Sequence, residues 1–260
     1  MKIRILMLSL IGLIFFNSCS SDSNSSNSTS QNLDPNTILP KKILRGDSSG
    51  EFITYDFFYN QSKLDHIHYI SLNNGPTVEY DINFTYNGNL ISEIEVIDNS
   101  GQIVSNTVFT YLNNKLVNKV LTFGNYVFNY GFTYNSSNNI ITRTVTVTRF
   151  GVVIEDSTNT FTIINNLVYP YNYISYSTTP SPFKNITGIQ DAFVEMGTYY
   201  DYSSSFEDSQ YIFFSTTKNI IENLDEYFVY VYNDIEFPTT VTYYGGANGN
   251  GPISYSIFYQ

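Results

Sequence analysis

The chain has 260 residues, of which 42% are hydrophobic and 17% aromatic, so it is long and apolar enough to bury a sizeable core. Lys and Arg number 12 against 23 Asp and Glu, which gives a formal net charge of −11 at pH 7. A chain this acidic repels phosphate groups. The composition therefore argues against overall disorder, against nucleic acid as a partner and against electrostatic binding to anionic lipid headgroups.

The N-terminal residues have the pattern of a secretion signal. A basic start with Lys2 and Arg4 precedes a mostly apolar run over residues 5–16, which is too short to span a bilayer comfortably. Residues 20–37 are mostly Ser, Asn, Thr, Gln and Asp, a composition typical of a flexible tether. We predict a signal peptide over residues 1–18 and a tether over residues 19–40.

The only cysteine, Cys19, stands where the signal peptide would be cleaved. A cysteine at this place, followed by a Ser-Ser-Asp sequence, resembles the lipidation site of bacterial lipoproteins, and most closely those of Bacteroidota. The resemblance implies that Cys19 carries acyl chains such as palmitate, which anchor the protein to the outer membrane, facing the periplasm or the cell surface. Cleavage would remove Lys2 and Arg4 and leave ten basic residues against 23 acidic ones, a net charge near −13.

From Ile38 onward, strand-like runs alternate with Asn- and Gly-rich turns, which predicts consecutive antiparallel hairpins. The run from Tyr126 to Tyr134 has an aromatic ring at every second position, so its five rings share one face of a sheet. Its ending, Phe-Thr-Tyr-Asn, recurs in similar form with its tyrosine at Tyr59, Tyr86 and Tyr111. Each unit is one hairpin, and hairpins that cannot cover their own apolar face must stack on their neighbours.

The predicted fold class is all-β: an antiparallel meander of repeated hairpins that forms one extended curved sheet, in a single domain over residues 41–260. The solvent face includes a row of threonines at positions 142, 144, 146 and 148. The rings predicted to lie on one buried face are Phe84, Tyr86, Phe109, Tyr111, Tyr126, Phe128, Tyr130, Phe132 and Tyr134.

The regular succession of predicted hairpins is interrupted near Pro170 and Pro180, and one short helix is predicted near residues 188–196. Thr187 offers an N-cap with Gln190 three residues on, which is the spacing of a capping box. Residues 199–209 fit neither the two-residue period of a strand nor the 3.6-residue period of a helix, and they are predicted to form a loop. Strands are predicted to resume at residues 210–215, 227–232, 239–244 and 253–259.

A second resemblance covers roughly residues 41–245. The Phe-x-Tyr-Asn-x-x-x-Leu units, the segment from Pro182 to Ile186 and the stretch from Tyr230 to Thr239 resemble outer-membrane lipoproteins of Bacteroidota with YD (RHS-type) repeats. In that family the last unit commonly reads Tyr-x-Tyr-Asn and ends in an aromatic residue and Pro, as Tyr232, Asn233, Phe237 and Pro238 do here. The resemblance implies an architecture of hairpins and an envelope location, and no catalytic residues.

His66 and His68 are the only histidines and lie two apart on a predicted strand, so they point the same way. A turn around residues 73–76 would place His68 opposite Glu79 and His66 opposite Asp81. Two imidazoles and two carboxylates can bind zinc or another transition metal. The alternative is a solvated row of weak cross-strand ion pairs. Because no further motif fixes a metal geometry, we predict the ion pairs, and no metal or other cofactor.

Carboxylate pairs raise the alternative of a glycan-acting hydrolase. Glu93 and Glu95 share one face of a predicted strand. Glycoside hydrolysis needs two carboxyl groups held about 5 to 9.5 Å apart across a cleft, whereas a chain with 23 acids produces close pairs by chance. Residues 201–208 could surround calcium but lack the glycine and alternation of an EF-hand loop. The later acidic clusters comprise Asp201, Glu207, Asp208, Asp225 and Glu226.

The sequence has no glycine-rich phosphate loop after a strand and no Gly-x-Ser-x-Gly motif. Its 24 tyrosines would suit a surface that binds a glycan or an envelope protein, if they were exposed. Their alternation instead predicts that most of them fill the core. The sequence therefore favours a membrane-anchored binding or scaffold module over an enzyme, and it does not decide whether any catalytic activity exists.

Overall fold

The computed structural model describes residues 34–46, 50, 52–72, 76–164, 167–169, 174–193, 218–223, 226–244 and 252–260, without the side chains of 167–169, 174–176, 218–223 and 226. Leu33–Gln260 form one compact unit. Several predictions fall outside the described residues: the signal peptide, Cys19, the loop at 199–209, the strand at 210–215, and Asp201, Glu207, Asp208 and Asp225.

The strands of the described residues form one antiparallel sheet, which confirms the predicted all-β meander. Each strand pairs with the next one along the chain from β1 to β11 and from β12 to β16, and β1 also pairs with β16. The two outer strands of this open sheet are β11 and β12. The strands are β1 (Pro40–Gly46), β2 (Phe52–Asn60), β3 (Lys63–Leu72), β4 (Val78–Asn87), β5 (Leu90–Asp98), β6 (Ile103–Leu112), β7 (Lys115–Phe123), β8 (Tyr126–Tyr134), β9 (Ile140–Arg149), β10 (Val152–Ile164), β11 (Leu167–Tyr169), β12 (Ile174–Pro180), β13 (Lys218–Asn223), β14 (Glu226–Tyr232), β15 (Pro238–Tyr244) and β16 (Ile253–Tyr259).

Tight turns join many of these strands, and their residues have the backbone conformation that tight hairpins need. Asn113 and Asn114 both have positive φ, at 50° and 60°, as a type I′ turn requires. Gly88 and Gly124 take positive φ in the turns after β4 and β7. Because successive turns of a meander lie at alternate ends, the turns after β2, β4, β6 and β8 share one end of the sheet, which we call the tyrosine end.

The predicted aromatic face is the core. Among the nine rings, Phe84, Phe109, Phe128, Tyr130 and Phe132 are buried, and the other four are partly buried and pack against the same cluster. The threonine row of β9 lies on the opposite, outward face, while Ile141, Val145 and Val147, which alternate with the threonines, are buried. The core begins at Ile38 and Leu39, which are also buried, just before the predicted domain boundary.

The repeat tyrosines connect neighbouring hairpins through their hydroxyl groups. Tyr111 Oη donates to the carbonyl oxygen of Ile91 at 2.9 Å, and Tyr134 Oη donates to that of Leu116 at 2.9 Å. Tyr59 makes the same kind of bond to Pro40, at 2.8 Å. Each bond crosses to an adjacent hairpin or strand, so the motif stabilises the stacking of hairpins as well as the core.

The register of the hairpins explains why the motif Phe-x-Tyr-Asn-x-x-x-Leu ends in an aliphatic residue. The register shifts at each repeat tyrosine, so that Tyr59, Tyr86 and Tyr111 stand opposite the residue five positions later. Those residues, Leu64, Ile91 and Leu116, are fully buried, with 0% exposure. The β-bulge thus turns an aliphatic side chain into the core directly after the tight turn.

The helix is shorter than predicted, and its predicted cap is wrong. Helix α1 spans Ile189–Ala192, and its N-cap is Gly188, at φ 78°, without a side-chain cap. Thr187 Oγ1 instead lies 2.7 Å from Ser62 Oγ. The threonine hydroxyl that a capping box would need is therefore engaged in this hydrogen bond. Gly188 passes so close to the sheet that a Cβ would lie 2.5 Å from the carbonyl oxygen of Asn89. The described residues contain no helix with the length and apolar character needed to cross a bilayer.

The segment from Ser181 to Phe193 packs on the core at the tyrosine end. Its buried rings Phe183 and Phe193 contact Phe57 and Phe109, with ring centroids 6.3 and 5.9 Å apart. Tyr86 Oη donates to the carbonyl oxygen of Thr187 at 3.2 Å and accepts a hydrogen bond from the amide of Leu64 at 3.1 Å. Burial raises the pKa of Tyr86 to about 12, so this hydroxyl keeps its proton at physiological pH.

Replacing Phe132 by Ala should reduce the free energy of unfolding by ~3 to 5 kcal/mol, because it removes a large ring that is 97% buried and leaves a cavity. Denaturant unfolding followed by circular dichroism measures this loss. Thr133→Ala, at the exposed neighbouring position, is the matched control and should change stability little. A loss near zero for Phe132→Ala would place the ring face in solvent.

Candidate functional site

Two regions of the outward face of the sheet differ in charge. Strands β4 and β5 carry Glu79, Asp81, Glu93 and Glu95 at outward positions, beside the histidines of β3. We call these four carboxylates the acidic face. Strands β14, β15 and β16 carry uncharged side chains at their outward positions. The two regions offer different chemistry, and each is a candidate site.

The predicted register of the histidine hairpin is wrong by two residues. The structure pairs His68 with Asp81 and His66 with Asn83, whereas Glu79 stands opposite Ile70. Ser71 pairs with Val78, which centres the hairpin between positions 74 and 75, as a turn over residues 73–76 would. The predicted partners correspond to a centre one residue earlier, so each differs from the observed partner by two residues, and every side chain keeps its predicted face.

The two histidines do not converge. His68 lies between two carboxylates, with Nδ1 2.8 Å from Asp81 Oδ1 and Nε2 3.2 Å from Glu79 Oε1. His66 turns to Asp65, at 2.9 Å, and its ring stacks on Phe58 with centroids 4.2 Å apart. In the described part of the chain, no three His, Cys, Asp or Glu side chains are grouped so that they could hold a metal ion.

The carboxylate pair of β5 gives no support to the hydrolase alternative. Glu93 and Glu95 lie on the same outward strand face, where Glu93 Oε1 accepts a hydrogen bond from Asn106 Nδ2 at 2.8 Å. Both side chains are partly exposed on the sheet surface. A row of acids along an open sheet does not hold two carboxyl groups across a sugar ring, as glycoside hydrolysis requires.

The uncharged region of β14, β15 and β16, which we call the uncharged face, carries exposed apolar side chains on neighbouring outward positions. On β14, Tyr227, Val229 and Val231 are 48%, 47% and 57% exposed. Cross-strand pairing places Tyr244 beside Tyr227, with ring centroids 4.5 Å apart and planes 8° apart. The remaining outward positions are Thr240 and Thr242 on β15, and Ser254, Ser256 and Phe258 on β16.

The boundary of the uncharged face lies on β1 and β2. Lys42 on β1 stands beside Phe258 and forms an ion pair with Asp56 on β2, at 3.0 Å. Beyond this pair begin the strands that carry the histidines and the acidic face. The outward surface therefore changes, over a few strands, from apolar and hydroxyl side chains to carboxylates.

The sequence contained a signal for the uncharged face that alternation alone missed. Residues 227–232 are six apolar residues in succession, Tyr-Phe-Val-Tyr-Val-Tyr. A continuous apolar run indicates a strand with two apolar faces, in contrast to the one-sided pattern of β8. Phe228 and Tyr230 pack into the core, so the other residues of the run supply the exposed apolar groups.

Comparison with known proteins adds little. No family model matches the chain, and no curated protein matches it. A solved structure described as a porin-like protein from Bacteroides uniformis has a TM-score of 0.43 and 11% identity, over 85% of this chain and 98% of that chain. A likeness this weak supports no conclusion about function or location, so the lipoprotein and YD-repeat resemblances stay predictions.

Adding zinc, nickel or copper to chelator-treated protein should leave the melting temperature unchanged, because His66 and His68 bond to different carboxylates. Differential scanning fluorimetry measures this, with His66→Gln/His68→Gln as the matched control. A metal that binds only the native state raises stability by RT ln(1 + [L]/Kd). Stabilisation of the wild type that the double variant loses would contradict this prediction and identify a metal site.

Proposed function

We propose that this chain is a lipid-anchored binding or scaffold module of the cell envelope, attached to the outer membrane through Cys19. The observation that carries the binding role is the uncharged face, where Tyr227, Val229 and Val231 form an exposed apolar row on the outward side of β14. Exposed contiguous apolar surface on a folded domain is a common mark of an interaction site.

The inner ring face is a poor candidate for binding, because the core already uses it. Phe84, Phe109, Phe128, Tyr130 and Phe132 are at most 7% exposed. A partner could reach them only by separating the sheet from the groups that cover it. The outward face is accessible without such a change, and this supports the choice of the uncharged face.

The chemistry of the uncharged face favours a protein partner over a glycan. Protein interfaces are enriched in aromatic residues and depleted in charge at their centres, as this face is. A sugar ring would stack on the flat side of an aromatic ring. Tyr227 and Tyr244 each give one flat side to the other. Valine and threonine side chains complete a flat surface that another sheet or a helix can cover.

The anchor rests on the sequence around Cys19 and on the reach of the tether. The described part of the chain begins at Asp34, 15 residues after Cys19. A fully extended segment of that length spans about 50 Å. It enters the sheet at the tyrosine end, where Leu39 and Gln260 exchange backbone hydrogen bonds of 3.0 and 3.4 Å. A lipid at Cys19 would leave the domain free to meet a partner near the membrane.

Photo-crosslinking in cells tests this proposal. A photoreactive amino acid at Val231 should join the protein to one discrete envelope protein, whereas the same probe at Glu95 on the acidic face should not. Val229→Glu should abolish the crosslink, because it places a charge at the centre of the contact. Cys19→Ala should move the protein out of the membrane fraction.

Several outcomes would contradict the proposal. Equal crosslinking from Val231 and Glu95 would show that the uncharged face is not selective. Binding of a polysaccharide that Val229→Glu abolishes would replace the protein partner by a glycan. A Cys19→Ala variant that stays fully in the membrane fraction would remove the lipid anchor.

A further inference from the structure

The turn between β9 and β10 departs from the composition of the other tight turns. Its central residues, Phe150 and Gly151, both have positive φ, at 50° and 76°, which is the pattern of a type I′ turn. The turn after β6 meets the same requirement with two asparagines, and the turn after β7 places glycine at its first position. A phenylalanine in this left-handed region is strained, whereas Asn or Gly fits there at lower cost.

The strained phenylalanine is also the most exposed large apolar residue among those described, at 70%. Val152, Val153 and Ile154 follow it with exposures of 64%, 58% and 56%. We call residues 150–154 the apolar tip. Phe150 does not pack in the core, so core packing does not account for its strained backbone. A residue that is both strained and exposed at a turn points to a function.

The tip is apolar on every side. Val152 and Val153 point to opposite faces of the sheet, and Ile154 lies at a register shift between β10 and β9. A flat protein surface could cover only one of these sides. Antiparallel pairing of β10 with the same strand of a second copy, in the register centred between residues 155 and 156, would set Glu155 of each chain against Asp156 of the other, and these carboxylates repel one another. A fluid apolar medium can surround the whole tip.

The residues next to the tip have the chemistry of a membrane interface. Arg149 stacks over Tyr126 and Phe150, with its guanidinium carbon 5.2 and 5.5 Å from their ring centres. An arginine stem on aromatic rings can extend its charge to a lipid phosphate, and a tyrosine suits the same depth. The amide of Phe150 donates to the carbonyl oxygen of Asn125 at 3.0 Å, which fixes the tip to the neighbouring turn.

We propose that the apolar tip inserts into the interface of an electrically neutral phospholipid bilayer. The mature chain has ten basic residues against 23 acidic ones, a net charge near −13 that opposes attraction to anionic lipids, so binding depends on the apolar side chains and weakens as anionic lipid is added. Insertion through one tip is weak and reversible. It needs no acyl group, although a lipid at Cys19 would keep the tip close to the membrane and strengthen the contact.

The tether is long enough for both contacts. The described chain begins at the tyrosine end, and the tip lies at the opposite end of the sheet. A ten-residue strand such as β9 is about 34 Å long. The 15 Cα-to-Cα steps from Cys19 to Asp34 span about 50 Å when extended, so the lipid and the tip can reach one bilayer.

Flotation with phosphatidylcholine vesicles tests this inference. The protein is the mature chain from residue 19, with Cys19→Ser, so that no acyl group contributes and a failed anchor prediction does not affect the result. The wild-type tip should float with vesicles, and Phe150→Asn should bind about tenfold more weakly, because a large apolar ring no longer enters the bilayer. The melting temperature of Phe150→Asn should be unchanged or higher, since asparagine relieves the strained turn.

Leu112→Asn is the matched control, because Leu112 is 63% exposed at a turn of the tyrosine end. It should leave flotation unchanged. A bimane probe on Val153→Cys should shift to the blue with vesicles and be quenched by nitroxide lipids. Absence of flotation, equal loss with Leu112→Asn, or full binding by Phe150→Asn would each overturn the inference. So would self-association through the tip without lipid binding, measured by sedimentation.

Discussion

The hydrogen bond from a repeat tyrosine to the backbone of a neighbouring hairpin is the interaction on which this sheet depends. A two-stranded hairpin is marginally stable alone, so the meander needs a device that joins each hairpin to the next. The ring of the tyrosine covers the core, while its hydroxyl bonds to a carbonyl oxygen, as Tyr111 does with Ile91 and Tyr134 does with Leu116. One residue thus satisfies both requirements, and its recurrence in the sequence is the recurrence of this contact.

This use of the tyrosines determines where function can lie. Because the inner face is occupied by the core and by the segment from Ser181 to Phe193, the remaining chemistry belongs to the outward face and to the turns. The outward face separates carboxylates on β4 and β5 from the apolar and hydroxyl groups of β14 to β16. The apolar tip adds a second kind of contact at one end. The two exposed apolar surfaces, and carboxylates that lie along an open sheet and not across a cleft, support the binding role that we propose.

Much of the fold could be predicted because alternation is a local property. The ring pattern of residues 126–134 fixed the buried face, and the Asn- and Gly-rich turns fixed the order of hairpins. The predicted partners of His66 and His68 are wrong because register depends on the exact centre of a hairpin, and a centre displaced by one residue moves each partner by two. The prediction of the α1 cap is wrong because it depends on a contact distant in sequence: Thr187 bonds to Ser62, 125 residues away. The uncharged face and the apolar tip could not be predicted from alternation alone, because alternation does not show which apolar side chains stay exposed.

Hydrogen exchange in a Tyr86→Phe variant tests whether the tyrosine hydroxyls hold the hairpins together, because Tyr86 Oη bonds to both Leu64 and Thr187. The ring is retained, so only the two hydrogen bonds of the hydroxyl, to Leu64 and to Thr187, are removed. Exchange should become faster at the start of β3 and in the segment from Ser181 to Phe193, with no change in the β8–β9 hairpin. Unchanged exchange at Leu64 and in that segment would show that the tyrosine hydroxyls do not hold the hairpins together.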